Sequence, residues 1–277
     1  MDLNQVILYA QLVNAAYAIP PDNTNNAAGQ IVNVGAAGYQ VVTSIFANDL
    51  ATDMNPERGK SRVSIGLIFQ AATAGDVVIS IRGTEGIQEW VHDAEFLLVT
   101  CPFLAGAGHT EDGFTAVYMS MTTTLDPTCP RVTQALPGLN FPRPVTSVAI
   151  CGHSLGGALA TLLALDVAAN TPFKNPAVYT YASPRTGGPQ FVATYNQVVP
   201  NTNRIAGRLD LVPKLPLPPL YDHVLGLYEV NSIQLGIPPK VLIRPDLACL
   251  HILTSYLYLL SRQVGGAILP LQPACVP

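Results

Sequence analysis

The chain has 277 residues, with 14 basic and 18 acidic side chains, a net charge of −4, 49% hydrophobic residues and 12% charged ones. That much apolar material with so little charge excludes intrinsic disorder. The lack of any basic cluster excludes nucleic acid as a partner, and excludes tethering to anionic lipid. Mean hydropathy is +0.31, yet no run of about 18 apolar residues occurs, so no transmembrane segment is expected.

A single α/β domain over 1–277 accommodates this length. The first Lys or Arg is Arg58, which does not suit an intact secretory signal, so a leader is expected to have been removed or never present. The five cysteines are Cys101, Cys129, Cys151, Cys249 and Cys275. None forms C-x-x-C or a zinc-type Cys/His spacing, so no metal is expected. Cys151 reads as a buried small hydrophobe. Cys101 and Cys129 form the candidate disulfide, and the odd count leaves a free thiol.

In chain order, Val6, Ile7, Ala10, Val13 and Tyr17 recur at helical spacing over 3–17. The Pro-, Asn- and Gly-rich stretch 20–38 reads as an irregular loop. Strand patterns follow at 39–46, 64–69, 77–82, 145–151, 177–181, 203–206, 224–230 and 241–244. Helical patterns occupy 156–169 and 190–196, and 251–260 reads as one apolar final helix. Strands alternating with helices predict an α/β fold, with a mostly parallel sheet covered on both faces. Pro216, Pro218 and Pro219 exclude a central strand from 215–220. That apolar loop is either a plug in the core or a wall of a pocket.

Gly152-His153-Ser154-Leu155-Gly156 fits G-x-S-x-G, with a buried strand before it and a small-residue helix after it. A sharp strand-to-helix turn of this kind needs small residues two before and two after the serine, where the two elements approach. It lifts the Ser154 hydroxyl off the sheet and leaves the Leu155 N–H at a helix N-terminus, suited to an oxyanion. A serine hydroxyl needs a base, and the base needs an acid to orient it. The chain order Ser–Asp/Glu–His removes His92, His109 and His153 as the base. His251, beyond two further strands, is favoured over His223, which reads as a structural histidine bonded to a loop carbonyl. Asp210, just past a strand end, is the best acid, with Asp222 and Asp246 as rivals.

Around these residues the sequence resembles the fungal-type (class 3) lipase family of α/β-hydrolases. The resemblance lies in Val78-Ile79-Ser80-Ile81-Arg82-Gly83-Thr84, Gly113-Phe114, and Tyr181-Ala182-Ser183-Pro184-Arg185-Thr186-Gly187. It continues through Asp210-Leu211-Val212-Pro213-Lys214-Leu215-Pro216 and Cys249-Leu250-His251 with Tyr256. Together these span roughly 60–260.

The resemblance implies Ser154, Asp210 and His251 as a triad, Thr84 as second oxyanion donor beside Leu155, and Asp93 holding the Thr84 hydroxyl. It implies a lid at 85–92, with Ile87, Trp90 and Val91 on its apolar face. A pocket is expected to be lined by Val212, Leu215, Leu217 and Leu250, with His223 nearby. The implied activity is hydrolysis of lipid carboxylic esters at a lipid–water interface, without cofactor. The rival readings are a soluble-ester esterase, feruloyl or short-chain, and an inert lipid-binding protein on the same fold. Secretion is expected by analogy with exported lipid-splitting enzymes.

Overall fold

A computed structural model describes residues 1–20, 22–23, 25–49, 61–84, 96–231 and 247–275. Among the described residues one eight-stranded sheet organises the chain. Its strands are β1 (Ile31–Val34), β2 (Ala37–Asn48), β3 (Arg62–Ala71), β4 (Asp76–Ile81), β7 (Ser147–His153), β8 (Ala177–Tyr181), β9 (Thr202–Gly207) and β10 (Leu227–Val230), in that spatial order. Pairings from β1 to β4 are antiparallel, and those from β4 through β7, β8 and β9 to β10 are parallel. Strands β5 (Leu98–Thr100) and β6 (His109–Glu111) form a separate antiparallel pair. The helices are α1 (Leu3–Tyr17), α2 (Asp112–Met119), α3 (Val132–Ala135), α4 (Leu155–Asn170), α5 (Pro189–Val198), α6 (Leu247–His251) and α7 (Leu253–Val264).

The period of two along each strand sorts side chains to opposite faces. In β7, Val148 and Ile150 pack with α2, α4 and α5, whereas Ala149 and Cys151 pack with α1 and α7. Both faces are therefore covered, as a parallel sheet requires. Helix α4 is buried along nearly its whole length, which explains why its apolar residues run all round it and not along one stripe.

Three expectations need correction. Strand β1 lies inside the stretch expected to be loop. It is a short, half-exposed edge strand, joined to β2 through Gly35 at φ +58. Strand β10 starts at Leu227, later than expected, because Gly226 sits at φ +91 with its backbone against Thr202. The final helix is broken at Ile252, whose extended backbone (ψ 143) caps α7, so His251 closes α6 and does not open the last helix. The expected strand at 241–244 lies outside the described residues.

The cysteine pairing also differs: the disulfide is Cys249–Cys275, while Cys101, Cys129 and Cys151 are free. Cys101 is packed into the core around α2 and α4, and Cys129 sits in the surface loop before α3. Cys151 is fully buried, which pushes its thiol up to about 12.

Strand β6 ends on Glu111, which is buried and caps α2 by accepting the Phe114 N–H at 2.7 Å. Burial outweighs those backbone bonds and raises its carboxyl from 4.5 to about 7. The folded state thus keeps a proton that the unfolded chain releases near pH 4.5. Stability is fully present below that pH and falls as pH rises towards 7, by about 3 kcal/mol. Glu111→Gln keeps a capping acceptor and cannot ionise. Thermal melts from pH 4 to 8 should show wild type losing stability over this range and the variant losing less. Parallel pH profiles for the two proteins would exclude the assignment.

Candidate active site

The site is built where β7 turns into α4. Ser154 holds φ 58, ψ −128, a backbone region that ordinary residues avoid and that persists only where surroundings enforce it. The enforcement is visible. The Ser154 N–H donates to Tyr181 O on β8 at 2.9 Å, and Ser154 O accepts from Gly157 N at 2.8 Å. A Cβ on Gly152 would lie 2.0 Å from Gly156 O, and one on Gly156 would lie 2.3 Å from Ile81 O. Glycine is thus required at both positions, and β4, β7 and α4 meet with no side chain between them. Ser154 is 1% exposed.

Asp210 follows β9 and is 2% exposed. Its Oδ1 accepts from Val212 N at 3.0 Å, and its Oδ2 accepts from His251 Nδ1 at 2.9 Å and from the Tyr256 hydroxyl at 2.7 Å. The Tyr256 oxygen in turn accepts from Gly207 N at 2.7 Å. Burial and the facing Asp210 carboxylate keep the Tyr256 hydroxyl protonated, raising its pKa far above the usual phenol range. With Nδ1 committed to Asp210, Nε2 is the free face of the His251 ring. His251 Nε2 and Ser154 Oγ are both buried and lack a hydrogen-bond partner among the described residues.

Thr84 follows β4, half-buried, and with Leu155 lines a cavity of about 30 Å³, room for a single water-sized group. The preceding Gly83 lies against the serine, since a Cβ there would come 2.9 Å from Ser154 Cβ. A second cavity, of about 610 Å³, touches Thr84, Tyr17, His153 and His251.

Sequence reasoning missed a bridge beneath these groups. The Gly83 N–H donates to the Tyr17 hydroxyl (2.8 Å), which donates to His153 Nδ1 (2.7 Å), and His153 Nε2–H donates to His251 O (2.7 Å). The His251 carbonyl can only accept, which fixes the His153 tautomer. Burial and the adjacent His251 hold His153 neutral, its pKa well below 6.5. Excluded as the base by chain order, His153 instead ties the oxyanion strand, the elbow and α6 together. Tyr17 closes an amphipathic helix, and nothing in its spacing marks that role.

The expected pocket residues scatter. Val212 is buried beside Asp210, Leu215 and Leu250 are half-buried, and Leu217 is 66% exposed. None of them lines either cavity described here. The plug reading of 215–220 fails for Leu217 and Leu220, both largely exposed. His223 Nε2 donates to the Pro213 carbonyl at 2.5 Å, matching its structural reading. Burial and the nearby Arg204 lower its pKa to about 3, so it stays neutral. Asp222 lies at an exposed position and bonds the backbone N–H of His223. Asp93 and the lid residues Ile87, Trp90 and Val91 lie outside the described residues, as do His92 and Asp246.

The family model for class 3 lipases matches residues 78–219, slightly over half of the chain. The chain belongs to the class 3 lipase family. Within that family, secreted mono- and diacylglycerol lipase 1 of Fusarium solani is 30% identical over 218 residues, covering 78% of this chain and 59% of that protein. Secreted mono- and diacylglycerol lipase A of Penicillium cyclopium is 30% identical over 238 residues, covering 83% and 71%. The chain therefore spans less than two thirds of the Fusarium relative's length. A crystal structure of mono- and diacylglycerol lipase from Aspergillus oryzae superposes with a TM-score of 0.65 at 26% identity, covering 82% of this chain and 79% of that one. The class 3 match ends before His251, which meets the elbow through the His153 Nε2–H to His251 O hydrogen bond and meets Asp210 through its Nδ1. The fold is that of the α/β-hydrolases, with Ser154 at the C-terminal end of β7, which has parallel neighbours on both sides.

Proposed function

We propose that this chain, as one α/β-hydrolase domain, is a serine ester hydrolase that releases fatty acids from acylglycerols through an acyl-serine intermediate. The observation that carries the reading is the Asp210–His251 pair, joined through His153 to the elbow that holds a strained Ser154. His251 Nε2 takes the Ser154 proton as Oγ attacks the ester carbonyl, and Thr84 with the Leu155 N–H hold the oxyanion. His251 then protonates the departing alcohol and activates the water that frees the acid. Asp210 stays ionised and fixes the imidazole tautomer. Each oxyanion donor contributes about 100-fold or more in reactions of this type.

Two further features support an interfacial substrate. Ser154 is 1% exposed, so an ester must leave water to reach it. Leu211, Leu217, Leu220 and Leu225 are all exposed along one loop region, an apolar rim suited to a lipid–water boundary. Among the described residues no helix is long and apolar enough to cross a membrane; the lipid contact in this reading is a transient one at the interface. Secretion is supported by the names of the Fusarium and Penicillium relatives and by the Cys249–Cys275 disulfide, since such bonds persist in oxidising compartments.

The deciding measurement is initial rate against tributyrin concentration through its solubility limit. A rise in rate at the emulsion boundary is expected. Smooth saturation below the limit would replace this reading with a soluble esterase on the same machinery, and no rate above a Ser154→Ala blank would favour the inert binding protein.

A further inference from the structure

Tyr17 is the last residue of α1, and its hydroxyl sits between two elements of the site. The hydroxyl oxygen accepts from Gly83 N at 2.8 Å, on the residue just before Thr84. The hydroxyl proton goes to His153 Nδ1 at 2.7 Å, on the residue just before Ser154. The oxyanion residue and the nucleophile thus each lie one residue from a contact of the same side-chain oxygen. That approach needs glycine at 83. A Cβ there would lie 2.7 Å from the Tyr17 oxygen and 2.9 Å from Ser154 Cβ.

Tyr17 is not itself an oxyanion donor. A hydroxyl has one proton. His153 is held neutral by burial, and the His251 carbonyl keeps its proton on Nε2 (2.7 Å). Nδ1 is therefore a bare acceptor and takes the Tyr17 proton. What remains on the tyrosine oxygen is acceptor capacity, which holds an N–H and repels a developing negative charge. Tyr17 nevertheless lines the cavity of about 610 Å³ together with Thr84, His153 and His251. It is at the site, and its effect is exerted through the groups it holds.

Nor is the hydroxyl what docks α1. Val6, Ala10, Leu12 and Val13 are fully buried, and the Tyr181 hydroxyl donates to Val6 O. The helix is anchored along its length without its last side chain.

We infer that Tyr17 is a positioning residue for ester cleavage: its hydroxyl fixes the backbone at Gly83, and so Thr84, against the Ser154 elbow, setting the oxyanion hole before substrate arrives. The inference rests on the ester-hydrolase reading above.

Tyr17→Phe removes the oxygen and keeps the ring, so Gly83 N–H and His153 Nδ1 lose their shared partner. Misplacing a reacting group by about 1 Å can cost about 100-fold. On p-nitrophenyl butyrate, kcat should fall by roughly 10- to 100-fold with KM nearly unchanged. An aryl boronic acid forms a tetrahedral anion on this enzyme, as Ser154 Oγ bonds to boron and its proton passes to His251. Its affinity should fall by a similar factor. Rates are referred to active sites counted by fluorophosphonate labelling carried to completion, so loss of folded protein does not register. Leu12→Val is the control. It trims the packing of the same helix without touching the bridge, and should lower the melting temperature while kcat per site and boronic acid affinity hold.

Wild-type kcat and boronic acid affinity in Tyr17→Phe would overturn the inference. So would a loss confined to KM, or an equal loss in Leu12→Val. Failure of Tyr17→Phe to fold would overturn it too, since the hydroxyl would then serve the fold alone. No turnover by wild type above a Ser154→Ala blank would instead sink the hydrolase reading, a result seen before any Tyr17 variant is made.

Discussion

Ser154→Ala should lower kcat/KM on short p-nitrophenyl esters by about a million-fold while leaving the protein as stable as wild type. The two halves of this expectation come from the same observation. Ser154 Oγ is buried and has no hydrogen-bond partner among the described residues, so the fold gains nothing from it, and its removal relieves a desolvated hydroxyl. The strained backbone at φ 58 is enforced by Gly152, Gly156 and the Tyr181 carbonyl, none of which depends on the hydroxyl. Alanine keeps Cβ and therefore keeps the turn. What vanishes is the nucleophile, and the oxyanion donors alone can assist only attack by water. Thermal melting, ester turnover and labelling by a fluorophosphonate probe together test this. A melting point held at the wild-type value with labelling abolished is the expected combination. Turnover within a hundredfold of wild type, or persistent labelling, would remove Ser154 from the mechanism.

The reason Ser154 was legible in the sequence is that its requirements are local. Close approach of β4, β7 and α4 forbids side chains at Gly152 and Gly156, and that prohibition is written in five consecutive residues. Asp210 and His251 were legible through chain order and through position after a strand end, which topology constrains. The parts that were not legible depend on contacts distant in the chain. Tyr17 meets His153 across 136 positions, and neither residue carries a periodic signal for that meeting. Cysteine spacing did not identify Cys249 and Cys275 as partners, because pairing follows the path of the tail past α7 and not the sequence interval. The break at Ile252 has no local signature: no Gly or Pro marks it, and the apolar residues run through it unbroken. At the loop 215–220 composition leaves plug and pocket wall undecided. Apolar composition predicts burial only in one direction, and at Leu217 and Leu220 the leucines face solvent.

Asp210→Asn should lower kcat by about ten-thousand-fold, with a much smaller change in KM. The carboxylate has two oxygens with distinct duties. Oδ1 accepts the Val212 N–H, and Oδ2 accepts from both His251 Nδ1 and the Tyr256 hydroxyl. Asparagine offers one oxygen and one NH2 group, so one duty must fail. If its oxygen stays with Val212, the NH2 faces His251 and Tyr256. His251 must then present an unprotonated Nδ1, which places the proton on Nε2 and leaves no lone pair to receive the Ser154 proton. If the amide flips, His251 is served correctly, but NH2 meets the Val212 N–H and a buried donor loses its acceptor. The first arrangement sacrifices catalysis and leaves one buried donor, the Tyr256 O–H, without its acceptor. The second leaves the Val212 N–H unpaired and turns both amide hydrogens towards that donor; since each unpaired buried donor costs about 1–3 kcal/mol, the first arrangement is the one expected to prevail. Turnover of a soluble ester gives kcat and KM, and slowed fluorophosphonate labelling reports on Ser154 directly. A kcat within tenfold of wild type would show that His251 keeps its tautomer without Asp210, and the orienting acid would have to be sought elsewhere.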